Sequence, residues 1–295
     1  PAMPARPPAL DVDPVLRKAL ENLARLQAER GSWPSDYGGP MFLLPMYVAL
    51  AWATGRLPPP ARVERMVTYY ASVQRPDGSI GLHAEATTGS MFTSVLGYVA
   101  LRLLGVPRED PRAGRLLTWI QANGSVLGAA SWGKFTLCLL GLYDWRGIVP
   151  LLPELWLLPR QAPVHPGRLW CHARMVYLPM AWLYGTRATV PDHPLLRALR
   201  EELYPGGYHR VDWEAQREVV ALADDYRPPT RGLRAVNLLQ AGVERLPALT
   251  GLLRRRALEE CLTLIRHEDA ATGDLDIGPV NAVLNMFVPH FRGPA

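Results

Sequence analysis

The chain has 295 residues, 48% of them hydrophobic and 20% charged, with a net charge of +5 at pH 7. This apolar content is enough for a sizeable core and excludes a disordered chain. The basic residues are almost all arginines spread along the chain, and the dense cluster at 254–256 has no interleaved aromatic residue. We therefore expect a solvated helix face there and no nucleic-acid partner.

Two segments near the N-terminus bear on targeting and membrane insertion. Residues 1–10 are rich in proline and lack the apolar stretch of a signal peptide, so they are predicted to be disordered or extended. The chain begins at Pro1 rather than Met, which suggests a fragment. The uncharged stretch 37–55 is long enough to cross a bilayer, but glycines and prolines break its first half. A buried core helix is therefore favoured over a transmembrane span.

Helical periodicity dominates after residue 10, and strand signals are sparse. Apolar residues recur at helical spacing in short segments that Pro and Gly separate, and such short helices cannot each bury a face alone. An all-α ring or solenoid of paired helices is therefore predicted. In chain order the predicted helices cover residues 11–28, 45–52, 61–73, 91–104, 113–122, 131–142, 167–183, 195–203, 231–246, 252–265 and 279–289.

A weak internal repeat closes two of these helices. Gln27 and Gln74 are each followed four residues later by glycine and six residues later by a large apolar residue, Trp33 or Ile80. Each copy puts Gln in the last helical turn, where its amide can bond free backbone groups, and the apolar side chain can pack back over the turn. We therefore expect structural roles for Gln27, Trp33 and Gln74.

No segment predicts a catalytic acid or a bound metal ion. The aspartate pairs within 11–13, 224–225 and 274–276 each fall short of the acid or magnesium motifs that they approach, so we expect turn or cap residues there. The cysteines at 138, 171 and 261 form no CxxC pair, which favours a reducing compartment over disulfides or a zinc cluster. The sequence predicts neither a metal nor a cofactor.

The segment 169–180, LWCHARMVYLPM, is the most distinctive stretch of the chain. It sets His172 among two aromatic residues, a cysteine and several aliphatic residues, with Arg174 as the only formal charge. A lone imidazole in so apolar a segment is hydrogen-bonded, exposed to a cavity, or functional. The segment by itself leaves these three alternatives open.

Several segments, in chain order, resemble motifs of the oxidosqualene cyclases, a branch of the triterpene cyclases. The spacing of Gln, Gly and Trp at 27–33 is similar to their QW motif. The segments at 36–45 and 169–180 also favour the oxidosqualene branch over the bacterial squalene–hopene branch. The other similar segments are PDGSIGLH at 76–83, SWGKF at 131–135, PELWL at 153–157 and IGPV at 277–280.

The resemblance implies an α/α toroid over residues 11–290, the inserted N-terminal domain of a two-domain cyclase. Such enzymes protonate the epoxide of (S)-2,3-oxidosqualene and steer a cationic cascade to a sterol or triterpenol of the lanosterol or cycloartenol type. Their catalytic acid lies in a DCTAE-type motif of the other domain, and no such motif occurs in these 295 residues. We therefore expect a missing C-terminal domain as partner and no activity from this chain alone.

The same resemblance implies a monotopic membrane protein whose small-molecule partner is oxidosqualene or a similar isoprenoid. The implied location is the endoplasmic reticulum in a eukaryote and the cytoplasmic membrane in a bacterium. The apolar stretch 177–184 is then either a membrane plateau or a buried helix.

Residues of the 169–180 segment carry most of the site that the resemblance implies. His172 is expected to line the substrate cavity and to steer the late cation or its deprotonation. Tyr177 follows five residues later, about 140° round a helix, so it is expected on a different face. Ala173, Val176 and Tyr177 are expected to line the substrate channel. Because Ala173 stands where the family has cysteine, we expect a more open gate.

Three further aromatic residues are cavity candidates by resemblance. Tyr37 is expected to shape the substrate near its A/B rings, and Trp132 is expected to face the cavity. Trp170 is expected on the Tyr177 side of the helix, either in the cavity wall or in packing.

Two functions of other classes stay open. The chain can be a non-catalytic membrane-docking or lipid-binding remnant of a cyclase; a reading frame that continues into a DCTAE-type motif would favour the cyclase. An α/α toroid of the glycosidase kind needs paired carboxylates across a cleft, and the sequence does not position such a pair.

Overall fold

The structure is a computed structural model that describes residues 12–33, 39–226 and 230–293. The segment predicted as disordered or extended, 1–10, and the cavity candidate Tyr37 lie outside the described residues. The chain divides into two compact units, Pro1–Gly38 and Gly39–Ala295, and each is described by itself.

The first unit contains helix α1, Asp13–Leu26, with a proline in its first turn. The backbone turns extended at Gln27, and the Gln27 side-chain amide donates to the carbonyl of Gly31 at 2.8 Å. Gly31 adopts φ +81°, a left-handed conformation that favours glycine. The indole N–H of Trp33 donates to the carbonyl of Leu23 at 2.7 Å. These two bonds fold the chain back on the end of α1.

The second unit contains ten α-helices within its described residues. Short 3₁₀ turns connect several of them, including Pro153–Leu157 and Pro166–Arg168. The helices are α2 Leu43–Ala53, α3 Pro60–Val73, α4 Met91–Leu103, α5 Pro111–Ala122, α6 Ser131–Leu139, α7 Cys171–Gly185, α8 Pro194–Leu203, α9 Arg231–Glu244, α10 Pro247–Thr272 and α11 Pro279–Arg292.

Side-chain caps fix where several of these helices begin. Ser90, Asp110 and Thr230 each precede a helix and accept a hydrogen bond from a backbone N–H of its first turn. Such caps satisfy donors that the helix itself leaves free. Asp224, far along the chain, adds its carboxylate to the N-terminus of α4 by accepting from the N–H of Phe92 at 2.7 Å. This confirms the predicted capping role for an aspartate of the 224–225 pair.

Helix α4 is the most deeply buried helix of the unit, and every residue except Arg102 is buried. It packs against α2, α5, α6 and α8. Its Tyr98 hydroxyl and Arg102 guanidinium both bind the buried carboxylate of Glu202 on α8, the latter at 2.9 Å. A second group of contacts joins α7 to α10, α11 and the Pro153–Leu157 turn. Helix α11 also packs against α2 and so connects the two groups.

The predicted all-α class is confirmed, and within the described ranges the structure contains no β-strand. This helical architecture is consistent with the α/α toroid implied by the resemblance. No helix in the described part of the chain is both long and apolar enough to cross a bilayer.

Each of the eleven predicted helices is present, and the observed boundaries differ most from the predicted ones in α7 and α10. The helix predicted over 167–183 begins later, at Cys171, because Pro166–Arg168 forms a separate turn and Trp170 is extended. The helix predicted over 252–265 begins earlier, at Pro247, and continues to Thr272, where Gly273 in the left-handed conformation ends it. Its last turns are polar, so apolar periodicity does not reveal them.

Candidate functional site

The start of α7 is held by a short turn rather than by a cap on the helix itself. His165 accepts a hydrogen bond at Nδ1 from the N–H of Gly167, which begins the Pro166–Arg168 turn. Arg174 donates from Nη1 to the carbonyl of Gly167 at 3.2 Å and ties the first turns of α7 back to it. Leu169 and Trp170, which connect the turn to α7, are extended.

The first turn of α7 presents aromatic and apolar groups to solvent. Trp170 is 70% exposed, and both His172 and Ala173 are exposed. The Trp170 and His172 rings lie 4.5 Å apart between centroids, tilted by 31°. The Sγ of Cys171 lies 3.4 Å from Nδ1 of His172. The expectation that Trp170 lies on the Tyr177 side is wrong, because Trp170 precedes the helix and its ring pairs with His172.

Apart from the half-buried Tyr177, α7 is buried from Val176 to Tyr184. The residues from Leu178 to Tyr184 are all inaccessible, so the alternative of a buried helix for 177–184 is confirmed and the membrane plateau is wrong for that stretch. Apolar residues on all sides of a helix are equally compatible with a core helix and a lipid-facing one, and only the packing of α10 and α11 against α7 decides between them.

Tyr177 lies at the boundary between the exposed and buried parts of α7. Its ring faces Trp156 with 6.4 Å between centroids, and its hydroxyl is buried without a hydrogen-bond partner among the described residues. Burial raises the pKa of this hydroxyl, and the nearby Cys261 and Glu154 add to the rise. Tyr177 and His172 therefore occupy different environments, as their helical spacing predicts.

Trp132 and Gln74 belong to other helices of the fold, α6 and the end of α3. Trp132 is half-buried on α6, with its ring edge-on to Phe42 at 5.7 Å. Gln74 donates from its amide to the carbonyls of Gly78 and Arg112, both at 2.9 Å, and so ties α3 to α5. Ile80, six residues after Gln74, is buried.

A cavity of about 800 Å³ lies beside α7, and we call it the α7–α10 cavity. Its wall combines apolar side chains with charged ones and includes none of His172, Ala173, Val176 or Tyr177. Its lining residues are Trp156, Leu158, Arg160, His165, Gly167, Arg174, Met175, Leu178, Glu260, Leu264, His267, Glu268, Ala271, Thr272, Asp276 and Ile277.

A buried amide–carboxylate network closes one side of this cavity. Asn285 donates to carboxylates of Glu268, Asp269 and Asp276, at 3.2, 2.9 and 3.2 Å. Asn281 donates to Glu268 and to the carbonyl of Met175 on α7. Burial, reinforced by the carboxylates of Asp269 and Glu268, raises the pKa of Asp276 to about 6. Asp274 and Asp276, predicted as turn or cap residues, both have positive φ and lie where the chain turns after α10. Asp276 also belongs to this network.

An ion pair that no sequence pattern predicts holds the end of α7. Arg254 was expected on a solvated helix face with Arg255 and Arg256, which is wrong for Arg254. Its guanidinium binds the mostly buried carboxylate of Glu154 and donates at 3.1 Å to the carbonyl of Gly185, at the end of α7. Arg255, in contrast, is 92% exposed. The exposure of these two neighbours differs because successive residues point to different sides of α10.

Comparison with known proteins gives a family match over nearly the whole chain. Residues 16–289 match the squalene–hopene cyclase N-terminal domain. The matched region includes α7, the α7–α10 cavity and all the described site candidates.

Individual relatives are named cycloartenol synthase or lanosterol synthase. The chain is similar to cycloartenol synthase from Dictyostelium discoideum, with 41% identity over 272 residues that cover 92% of this chain and 38% of the relative. Lanosterol synthase from Homo sapiens is 42% identical over 272 residues, 92% of this chain and 37% of the relative. Lanosterol synthase from Pneumocystis carinii is 35% identical over 295 residues, 99% of this chain and 41% of the relative. The chain thus spans about two fifths of the length of these relatives.

Proposed function

This chain belongs to the squalene–hopene cyclase N-terminal domain family, and from that premise we propose that it is the N-terminal part of an oxidosqualene cyclase. The whole enzyme would convert (S)-2,3-oxidosqualene to a sterol or triterpenol of the lanosterol or cycloartenol type. The observation that carries this proposal is the identity of 41–42% to a cycloartenol and a lanosterol synthase over 92% of the chain. The toroid domain of this enzyme would cover residues 11–290.

The exposed first turn of α7 is our candidate for the part of the substrate cavity that this chain contributes. A cationic cascade needs aromatic faces that stabilise positive charge and a base for the final proton. Trp170 offers an exposed indole face next to His172, and Nε2 of His172 has no hydrogen-bond partner among the described residues. His172 would steer the late cation or accept its proton, once a further domain excludes water from this surface.

The channel residues would lie along the next turn of the same helix. Val176 is buried and Tyr177 is half-buried, whereas Ala173 is exposed. The small methyl group of Ala173 leaves more room beside His172 than a cysteine would. If the C-terminal domain approaches this point as closely as it does in relatives with cysteine, the entrance to the channel is wider here.

The acid that starts the reaction would come from chain outside these 295 residues. Protonation of an epoxide needs a strong acid in a dry cavity, and the sequence contains no DCTAE-type motif. The chain alone is therefore proposed to be inactive, with the C-terminal cyclase domain as its partner.

Helix α9 is our candidate for the membrane-facing surface. Leu238 and Leu239 on this helix are 74% and 67% exposed. Its other face is anchored, since Asn237 binds Glu218 and Glu244 binds the Tyr184 hydroxyl. A helix with an exposed apolar face and flanking arginines suits the interfacial region of a bilayer.

The cyclase proposal is tested with the gene and with its product. The reading frame beyond codon 295, or a neighbouring gene, is searched for a DCTAE-type motif, and the complete protein is incubated with (S)-2,3-oxidosqualene. We expect a cyclic triterpenol from the complete protein, an altered product profile from its His172→Ala variant, and no product from the 295-residue chain. Turnover by the chain alone would contradict the assignment of the acid. A stop codon at this point, with no neighbouring gene that carries the motif, would favour the non-catalytic remnant.

The membrane surface is tested by co-sedimentation of the chain with phosphatidylcholine vesicles. The variant Leu238→Ser/Leu239→Ser is expected to lose most of the bound fraction. Leu222→Ser is the matched control, because Leu222 is 93% exposed but lies outside α9. Equal binding of both variants would rule out α9 as the docking helix.

A further inference from the structure

The α7–α10 cavity has the size and composition of a small-molecule site. Its volume of about 800 Å³ falls in the range of ligand pockets, which are mainly apolar with a few polar groups that orient the ligand. Its apolar wall includes Leu158, Met175, Leu178 and Leu264. This part of the wall can bury an aliphatic chain.

One part of the cavity wall carries donors and positive charge. Arg174 lines the cavity, donates only to the carbonyl of Gly167, and forms no ion pair with any described carboxylate. His165 is 7% exposed, and because its Nδ1 accepts from the N–H of Gly167, the ring proton sits on Nε2. That Nε2–H has no partner among the described residues, and Arg160 adds a second guanidinium to the lining.

Another part of the wall carries negative charge. Glu268 is 8% exposed, and its Oε2 accepts from both Asn281 and Asn285. Its Oε1 has no partner within the described part of the chain. Asp276 and the exposed Glu260 also line the cavity. The carboxylates of this wall and the guanidinium of Arg174 form no ion pair with each other across the described structure.

We propose that the α7–α10 cavity binds a zwitterionic amphiphile, a molecule with an aliphatic chain and a head group that carries one anion and one cation. The anion lies against Arg174 and His165, and the cation lies against Glu268 and Asp276. A purely anionic ligand would bring its charge close to the carboxylates, and a purely cationic one would meet the guanidinium groups. Burial of either charge without an opposite partner is costly, so only a head group of both signs matches both walls.

The test compares four amphiphiles that share a dodecyl chain and differ in head-group charge. Dodecylphosphocholine is the zwitterion, dodecyl phosphate the anion, dodecyltrimethylammonium the cation and dodecyl maltoside the neutral molecule. Each is titrated as a monomer into the purified 295-residue chain by isothermal calorimetry. We expect the phosphocholine to bind about tenfold more tightly than each of the other three.

Two substitutions separate the two walls. Arg174→Met keeps the aliphatic stem and is expected to weaken binding of dodecylphosphocholine and dodecyl phosphate by about tenfold, without loss for dodecyltrimethylammonium. Glu268→Gln keeps the acceptor for Asn281 and Asn285, and it is expected to weaken dodecylphosphocholine and dodecyltrimethylammonium but not dodecyl phosphate. Arg168→Met is the matched control, because Arg168 is exposed and does not line the cavity. Circular dichroism melts confirm that each variant is folded.

The pattern across ligands decides the outcome. Equal affinities of the four amphiphiles for the wild-type chain would overturn the proposal. It would also be overturned if either substitution lowered the affinity for all four ligands alike, because the wall would then act through shape and not through charge.

Discussion

The two parts of α7 differ in nearly every respect although they share one helix. Around its first turn, Trp170, His172 and Ala173 are exposed, and the polar atoms of His172 find little within the described chain to bond. From Leu178 to Gly185 the helix packs against α10 and α11, and its end is held by Arg254. One part of α7 is thus packed and hydrogen-bonded within the fold, whereas the other part exposes aromatic and polar groups. Such an exposed group of side chains is a candidate for binding a ligand or a partner.

The largest expected difference between the two parts is in stability. Leu183 is completely buried, so Leu183→Ala should lower the free energy of unfolding by about 2–5 kcal/mol, since it removes apolar contacts and leaves a cavity. Trp170→Ala, at the exposed end, should change it by about 0.5 kcal/mol or less. Urea denaturation measures both. Similar losses of stability in both variants would mean that the first turn of α7 belongs to the core and would contradict the difference between the two parts.

A second test removes the ion pair between Arg254 and Glu154 at the buried end of α7. Arg254→Met removes the cation that faces Glu154 and leaves a carboxylate that is only 11% exposed without its partner. Loss of one member of a buried pair is destabilising because the remaining charge stays desolvated, and we expect a loss of about 3 kcal/mol in urea. Arg255→Met, one residue along on the exposed side of α10, is the control and should have almost no effect.

The pH dependence of stability tests the network that holds the middle of α7 through Asn281. The folded-state pKa of Asp276 is raised to about 6, so the fold binds its proton more tightly than the unfolded chain does. Its contribution to stability is present below the unfolded pKa near 4 and is lost as the pH rises through about 6.

Asp276→Asn keeps this group neutral at every pH. The variant should therefore melt roughly 2–4 °C above the wild type at pH 7.5, with the gap closing as the pH falls towards 4. Asn is suited to the positive φ of 56° at this position. A gap that stays constant across this range would show that Asp276 is not the titrating group.

The smallest expected effect lies at the boundary between the two parts. The Tyr177 hydroxyl is buried without a partner among the described residues, so Tyr177→Phe removes an unsatisfied polar group and keeps the ring against Trp156. We expect no loss and a gain of up to about 1 kcal/mol in the free energy of unfolding. Tyr98→Phe is the contrast, since it removes a bond of 2.7 Å to Glu202 and should destabilise. A clear loss in Tyr177→Phe would reveal a bonded hydroxyl, for example through ordered water.

Much of the fold follows from local pattern, as individual helices illustrate. Apolar spacing together with Pro and Gly breaks locates each helix from α1 to α11, because helix boundaries depend on nearby residues. The late end of α10 escapes this reasoning, since its last turns are polar and their one buried residue, Glu268, is covered through contacts with Asn281 and Asn285 on α11. The site is less accessible to the same reasoning. The sequence singles out His172, but not that Trp170 pairs with it, and it gives no sign of the α7–α10 cavity.

The sequence by itself determined the all-α class, the helices and the family, because these depend on periodicity, turn residues and motifs that are read along the chain. Only the tertiary structure decided which side of each helix is covered. Leu178 and Leu239 are both helical leucines, yet one is buried beneath neighbouring helices and the other is exposed on α9. Arg254 and Arg255 are adjacent, yet one is bound to a buried carboxylate. Burial is a property of contacts between segments far apart in sequence, and no local pattern encodes it.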